Sequence, residues 1–146
     1  MFSIERIAPE LVEKKGGLYF STHDQSDISF PEEIHADLFN YEEDSFWYQH
    51  RNSCIIKIMS LFPPQEPLFD IGGGNGIVSL ALKKYLGTEV CLVEPTLVGA
   101  TNALKRGLHP VICSSLENAN FRSSTISSIG LFDVLEHIKD DDSILH

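Results

Sequence analysis

Short apolar runs alternate with amphipathic segments through the second half of the chain. The runs "LFDI", "EVCLVEP", "HPVIC" and "SSIGLFD" are predicted as four strands. Between the first three lie "GIVSLALKKYL" and "TLVGATNALKRG", which have helical periodicity and end near Gly87 and Gly107 as C-cap glycines, and "VLEHIKDDDSIL" is predicted to begin another helix. Continuous apolar strands that alternate with helices are typical of a parallel sheet. The sequence therefore predicts an α/β fold, a doubly wound parallel sheet with helices on both faces.

The chain divides near residue 44. The segment "DSFWYQHRNSCIIKIMSLF" has apolar residues at nearly helical spacing, with Asp44 or Ser45 as its N-cap, and "PPQEP" ends it. The residues before it mix a glycine pair with polar turn formers and include a proline-started helical turn in "SFPEEIHADLF". We expect residues 1–43 to form an N-terminal extension or cap and residues 44–146 to form the main domain.

Composition and charge exclude several classes of function. The 146 residues suit one domain, and the net charge of −10 disfavours nucleic acid and favours a small neutral or cationic partner. No apolar run reaches the roughly 18 residues of a membrane span, and the amino terminus is charged where a signal peptide is apolar. We therefore expect a cytoplasmic protein with no membrane partner. The three cysteines show no CxxC pairing, which is typical of buried thiols and not of a zinc site.

The stretch "LFDIGGGNGIVSLAL" places four glycines between the first of these strands and the first of these helices. Because glycine lacks a Cβ, such a turn lets a ligand approach the backbone and permits positive φ angles. The helix that starts near Asn75 directs free N–H groups at the same space, which suits a carboxylate or phosphate. In a doubly wound sheet, ligands bind outside the carboxyl ends of the strands. These properties favour a dinucleotide or another adenosine-bearing cofactor.

The glycine spacing separates these two candidates. A dinucleotide fingerprint needs G-x-G-x-x-G/A, but its third position falls on Ile77 in one frame and on Ser79 in the other. The chain instead has an acid followed by glycines at every second position, namely Asp70, Gly72, Gly74 and Gly76. This D-x-G-x-G-x-G pattern resembles motif I of the class I S-adenosylmethionine-dependent methyltransferases.

The resemblance continues along the chain. Glu94 closes the second strand in "CLVEP", where the family carries the acid that binds both ribose hydroxyls, since one carboxylate can accept from both. Ser114 and Ser115 replace the acid that usually contacts the adenine, and Ser115 and Leu116 are the best matches for that contact. In one subgroup of the family, a helix resembling "FWYQHRN" caps the cofactor. The resemblance implies that the cofactor-binding residues are Asp70, Gly72, Gly73, Gly74, Asn75, Gly76, Glu94, Pro95, Ser115, Leu116, Phe132, Asp133, Trp47, Tyr48 and Arg51.

The "DVLEH" segment offers a candidate catalytic residue. If a helix begins at Asp133, then Asp133, Glu136 and His137 share one face beside the cofactor. That set resembles the metal site of small-RNA methyltransferases, yet many methyltransferases carry "DVLEH" without a metal, so we predict none. His137 is instead the candidate general base for an acceptor hydroxyl.

The resemblance implies an enzyme that transfers a methyl group from S-adenosyl-L-methionine to a small-molecule acceptor. It also implies a central first strand, with the second and third strands on one side and the fourth on the other. Because the family's domain has seven strands, we expect this chain to be an incomplete domain whose fourth strand is an exposed edge that favours a homodimer. The alternatives are a non-catalytic cofactor-binding remnant or fragment and, less favoured, a nicotinamide-binding oxidoreductase.

Overall fold

The computed structural model describes residues 2–22 and 32–138. These residues form one six-stranded sheet in the order β1-β2-β5-β4-β3-β6, in which every neighbouring pair is parallel except β1 and β2. The elements are α1 (Ile4–Ile7), β1 (Val12–Lys15), β2 (Leu18–Phe20), α2 (Glu32–Phe39), α3 (Phe46–Leu61), β3 (Leu68–Ile71), α4 (Ile77–Leu86), β4 (Val90–Val93), α5 (Leu97–Lys105), β5 (Val111–Cys113), β6 (Ser128–Gly130) and a 3-10 turn, η1 (Leu135–His137).

The predicted alternation of strands and helices is confirmed from β3 to β6. The four predicted strands are β3, β4, β5 and β6, and β3 lies between β4 and β6 as expected. Gly87 ends α4 in the left-handed conformation, with φ of 70°, because only a residue without a Cβ adopts this angle without strain. Thr96 caps α5 by accepting a hydrogen bond from the Gly99 N–H. Local sequence signals therefore determined these element boundaries.

Part of the expected N-terminal extension belongs to the same sheet. β1 and β2 form a hairpin, and β2 pairs in parallel with β5. Gly16 and Gly17, which connect the two strands, have φ angles of 59° and 85°. Two consecutive positive φ angles are what a tight two-residue hairpin turn requires, and glycine is favoured at both positions. The glycine pair therefore lengthens the sheet beyond the four strands that the sequence pattern predicted.

The two faces of the sheet are covered differently. Leu68 and Val90 face α4, and Leu92 and Val111 face α5, so both crossover helices lie on one side. The opposite face is covered by α1 and by partly buried side chains of the connection between β5 and β6, which contact Phe69, Ile71, Cys91, Val93 and Ile112. We expected helices on both faces of the sheet. On this second face, the helix that contacts the sheet is the four-residue α1. On this face, side chains of the connection between β5 and β6 bury the apolar strand residues that a longer helix would otherwise cover.

The segment after β6 differs from its prediction. Asp133 has a positive φ of 57°, and the described residues that follow it, up to 138, contain the single turn η1. The prediction that a helix beginning at Asp133 places Asp133, Glu136 and His137 on one face was therefore wrong, because a φ of 57° lies outside the helical region and Leu135–His137 form a 3-10 turn. The remainder of the expected helix, residues 139–146, lies outside the described residues.

The long helix α3 begins at Phe46, after the N-cap Ser45, as the sequence predicted. It packs against α4 through Ile55, Ile56 and Met59. None of the helices in the described ranges is long and apolar enough to span a membrane.

Candidate functional site

The glycine-rich loop joins β3 to α4 and lies at the carboxyl ends of the parallel strands. Its Gly72 and Gly73 N–H groups both donate to the Val93 carbonyl, at 2.7 and 3.3 Å. The Gly74 N–H donates to Glu94 Oε2 at 2.9 Å. These bonds tie the loop to the end of β4. The structure thus brings the carboxyl ends of β3 and β4 together, as the sequence pattern predicted.

Glu94 is a fixed, buried carboxylate with 3% of its surface exposed. Its Oε1 accepts from the Thr96 N–H at 2.8 Å and from the Thr96 hydroxyl at 2.6 Å, while its Oε2 accepts from Gly74. His35 Nε2 lies 3.6 Å from Oε1. A buried carboxylate is stable only with such donors, and here they hold it beside the glycine-rich loop.

Asp70 lies at the end of β3 and is 1% exposed. It accepts a hydrogen bond from the Ser79 hydroxyl of α4. Burial raises the pKa of the Asp70 carboxyl to about 7, because the Ser79 hydrogen bond only partly offsets it and the Glu94 carboxylate adds to the rise. Arg51 lowers the pKa slightly. Asp70 therefore changes charge near neutral pH, at the base of the loop.

Two glycines of the loop are required by the packing of the protein itself. A Cβ on Gly76 would lie 2.4 Å from a Leu108 methyl group, and one on Gly73 would lie 2.8 Å from Leu92. Real Cβ atoms essentially never lie within 3.0 Å of another non-bonded heavy atom, so a side chain at either position would displace a buried leucine. The bare backbone of Gly73 and Gly76 therefore makes room for the core, a role that the sequence interpretation did not include, and their predicted contact with a ligand stays a prediction.

The other two glycines face side chains from distant parts of the chain. A Cβ on Gly72 would lie 2.8 Å from Val134, which follows β6, and one on Gly74 would lie 3.2 Å from His35 of α2. Both glycines have positive φ angles, 68° and 54°. Val134 and His35 therefore form two walls beside the loop.

The segment from α2 to Glu43 is fastened onto the loop through Asn75. Asn75 is 2% exposed, and its amide Nδ2 donates to the His35 carbonyl at 2.9 Å and to Glu42 Oε1 at 3.3 Å. Its Oδ1 accepts from Asn102 of α5 at 3.0 Å. Asn75, predicted only as a cofactor contact, thus ties together α2, the loop and α5.

Arg106 holds the same segment from the side of α5. Its guanidinium is 3% exposed, pairs with Glu42 at 2.7 Å and donates to the Asn75 carbonyl at 2.7 Å and to the Phe39 carbonyl at 3.2 Å. Sequence reasoning did not identify Arg106, Glu42 or His35, because no motif includes them and up to 71 positions separate residue 35 from residue 106.

The predicted cap residues of α3 occupy different surroundings. Arg51 pairs with Asp133 and lies over the Tyr48 ring, 4.9 Å from its centre. The Arg51 Nε is buried and has no hydrogen-bond partner among the residues that the structure describes. Burial raises the pKa of the Tyr48 hydroxyl. The structure therefore brings Tyr48, Arg51 and Asp133 together. Trp47 is 65% exposed and lies at the surface.

The remaining predicted residues lie around these groups. Ser115 accepts from the Asn118 N–H at 3.2 Å in the turn after β5. Leu116 packs on the face that α1 covers, and Phe132 packs beside α4. The Pro95 carbonyl lies 3.9 Å from the Cys113 sulfur. His137, the candidate base, is exposed in η1.

The described residues contain no group of three or more His, Cys, Asp or Glu side chains that could hold a metal ion. A cavity of about 560 Å³ lies at the opposite end of the sheet, where Pro67 and Ser127 precede β3 and β6. It is therefore separate from the glycine-rich loop.

Comparisons of the chain with protein-family models, curated proteins and solved structures found no match.

Proposed function

We propose that this protein is an S-adenosylmethionine-dependent methyltransferase with a Rossmann-like fold that acts on a small-molecule acceptor. The observation that carries this proposal is the buried carboxylate of Glu94, which lies at the end of β4 and is hydrogen-bonded to Gly74 of the glycine-rich loop. In open α/β sheets, ligands bind at the carboxyl ends of the strands near the point where the strand order reverses. The loop follows β3, which lies between β4 and β6, and Glu94 follows β4, so both lie at the carboxyl ends of the strands.

The side chains present fit such a cofactor. Glu94 suits a ribose hydroxyl, since an ionised carboxylate is an acceptor only. The buried Nε of Arg51 has no hydrogen-bond partner within residues 2–22 and 32–138, which suits the methionine carboxylate, and Asp133 lies beside it. Ser115 and Leu116 remain the candidates for the adenine.

When bound, the cofactor supplies an electrophilic methyl group. The chain then has to bind, orient and shield the reactants, which needs no obligatory catalytic side chain. His137 remains the candidate base for an acceptor that must lose a proton. Because His137 is exposed in a single 3-10 turn, the chain is less suited to an acceptor that needs a base, and cofactor binding without catalysis is the second candidate function.

Calorimetric titration with S-adenosylhomocysteine, S-adenosylmethionine and NAD tests the proposal. We expect both adenosylated ligands to bind and NAD not to bind. Glu94→Ala should weaken their binding by about 1–3 kcal/mol, the range for leaving polar groups unpaired at a buried site. Glu89→Ala, which removes an exposed carboxylate at the amino end of the same strand, is the matched control. Binding of NAD alone, or a Glu94→Ala variant that binds like wild type, would overturn the proposal.

Methyl transfer to a panel of small-molecule acceptors, followed as formation of S-adenosylhomocysteine, separates the two candidate functions. Turnover supports the enzyme. Binding without turnover across the panel supports the non-catalytic module.

A further inference from the structure

We infer that His35 contacts the ribose of the cofactor, as the partner of the hydroxyl that Glu94 cannot bind. This inference rests on the proposed function and adds to the site a residue from the N-terminal helix α2. It follows from the number of hydrogen bonds that Glu94 already accepts and from the position of the His35 ring.

The Glu94 carboxylate can accept few further hydrogen bonds from the hydroxyls of a ribose diol. An ionised carboxylate has about four lone-pair positions for hydrogen bonds. The protein fills both positions of Oε1 with the Thr96 N–H and hydroxyl, and one position of Oε2 with the Gly74 N–H. The donors of the described residues therefore leave one position for a ribose hydroxyl, and the second hydroxyl of a vicinal diol needs another partner directly beside the carboxylate.

The His35 ring lies at that place. Its Nε2 is 3.6 Å from Glu94 Oε1, and its Cε1 would lie 3.2 Å from a Cβ on Gly74. His35 is 8% exposed, so the ring is enclosed between the carboxylate and the loop. A histidine ring nitrogen beside the carboxylate can bond a hydroxyl, as a donor or as an acceptor.

The backbone that carries His35 is held in place. The His35 carbonyl accepts from Asn75 Nδ2 at 2.9 Å, and the Phe39 carbonyl at the end of α2 accepts from Arg106 at 3.2 Å. A side chain whose backbone is fixed contributes to binding with less ordering cost than one on a mobile loop. His35 is therefore a preorganised part of the ribose site.

Two variants test the inference by titration with S-adenosylhomocysteine and with its 2′-deoxy and 3′-deoxy analogues. His35→Ala removes the ring, and His35→Phe keeps a ring against Gly74 and removes both nitrogens. We expect both variants to bind S-adenosylhomocysteine about threefold to tenfold more weakly than wild type, the effect of one hydrogen bond. For one of the two deoxy analogues, wild type and both variants should bind equally, because the hydroxyl that His35 contacts is missing. His109→Ala, an exposed histidine at the amino end of β5, should match wild type for every ligand.

The outcomes distinguish the two proposals. If wild type binds no adenosylated ligand, the proposed function fails and this inference fails with it. If wild type binds and both variants bind equally well, or more tightly, only the role of His35 is overturned. An equal loss for all three ligands also overturns it, since that pattern indicates packing and not a hydroxyl contact. Should His35→Ala fail to fold, His35→Phe decides alone.

Discussion

Asp70→Asn is expected to remove a pH-dependent loss of stability from this protein. Asp70 is 1% exposed, and burial raises the pKa of its carboxyl from 3.8 to about 7. Asparagine has nearly the same shape, and its carbonyl oxygen can still accept the hydrogen bond from Ser79. The substitution therefore removes the titration with little change in packing.

The sign and size follow from proton linkage. Between pH 3.8 and about 7, the folded state keeps the Asp70 proton while the unfolded state releases it. Folding then binds a proton, so the free energy of unfolding falls as pH rises through this window. Each pH unit contributes about 1.4 kcal/mol, which gives a loss on the order of 4 kcal/mol by pH 8. That is a large part of the roughly 5–15 kcal/mol that stabilises a typical domain.

Urea unfolding followed by circular dichroism at half-unit steps from pH 4 to pH 8 measures this effect. We expect Asp70→Asn and wild type to be equally stable at pH 4 and the variant to be more stable at pH 8. With a urea dependence of about 2 kcal/mol per molar, the midpoints should then differ by roughly 2 M. Asp44→Asn, which removes the same charge at an exposed position, is the matched control. A difference that does not vary with pH, or a wild type that is the more stable protein at pH 8, would refute the reasoning.

Three further outcomes are expected. Arg106→Met should lower the free energy of unfolding by about 3–5 kcal/mol in the same urea assay, because it leaves the buried Glu42 carboxylate unpaired; an effect below about 1 kcal/mol would contradict this. A thiol reagent should modify one cysteine of the native protein, the exposed Cys54, and all three after unfolding, since the other two are buried and burial raises the pKa of the Cys91 thiol. We also propose that the outer edge of β6, which pairs only with β3 among the described strands, binds a second copy. Ile129→Lys on that edge should lower the mass measured by light scattering, and a wild type that is monomeric at every concentration would contradict the proposal.

The order of elements from β3 to β6 could be read from the sequence because its signals are local. Continuous apolar runs specify buried parallel strands, 3.6-residue periodicity specifies helices, and Gly87 specifies a helix end. The same reasoning placed Asp70 and Glu94 at strand ends, and parallel strands bring such ends to one edge of the sheet. The hairpin turn at Gly16 and Gly17 was also a local signal, but the polar residues around it obscured the short strands.

Only the tertiary structure decided which side chains complete the site. His35, Glu42 and Arg106 belong to no motif and meet across up to 71 positions because α2 packs on α5. The pKa of Asp70 depends on burial by the whole domain, and the packing constraint on Gly73 and Gly76 comes from the bulk of Leu92 and Leu108. Sequence periodicity indicates which side of its own helix or strand a residue faces. The contacts of these side chains depend instead on which elements pack together. That packing is determined by the sum of apolar burial over the entire chain.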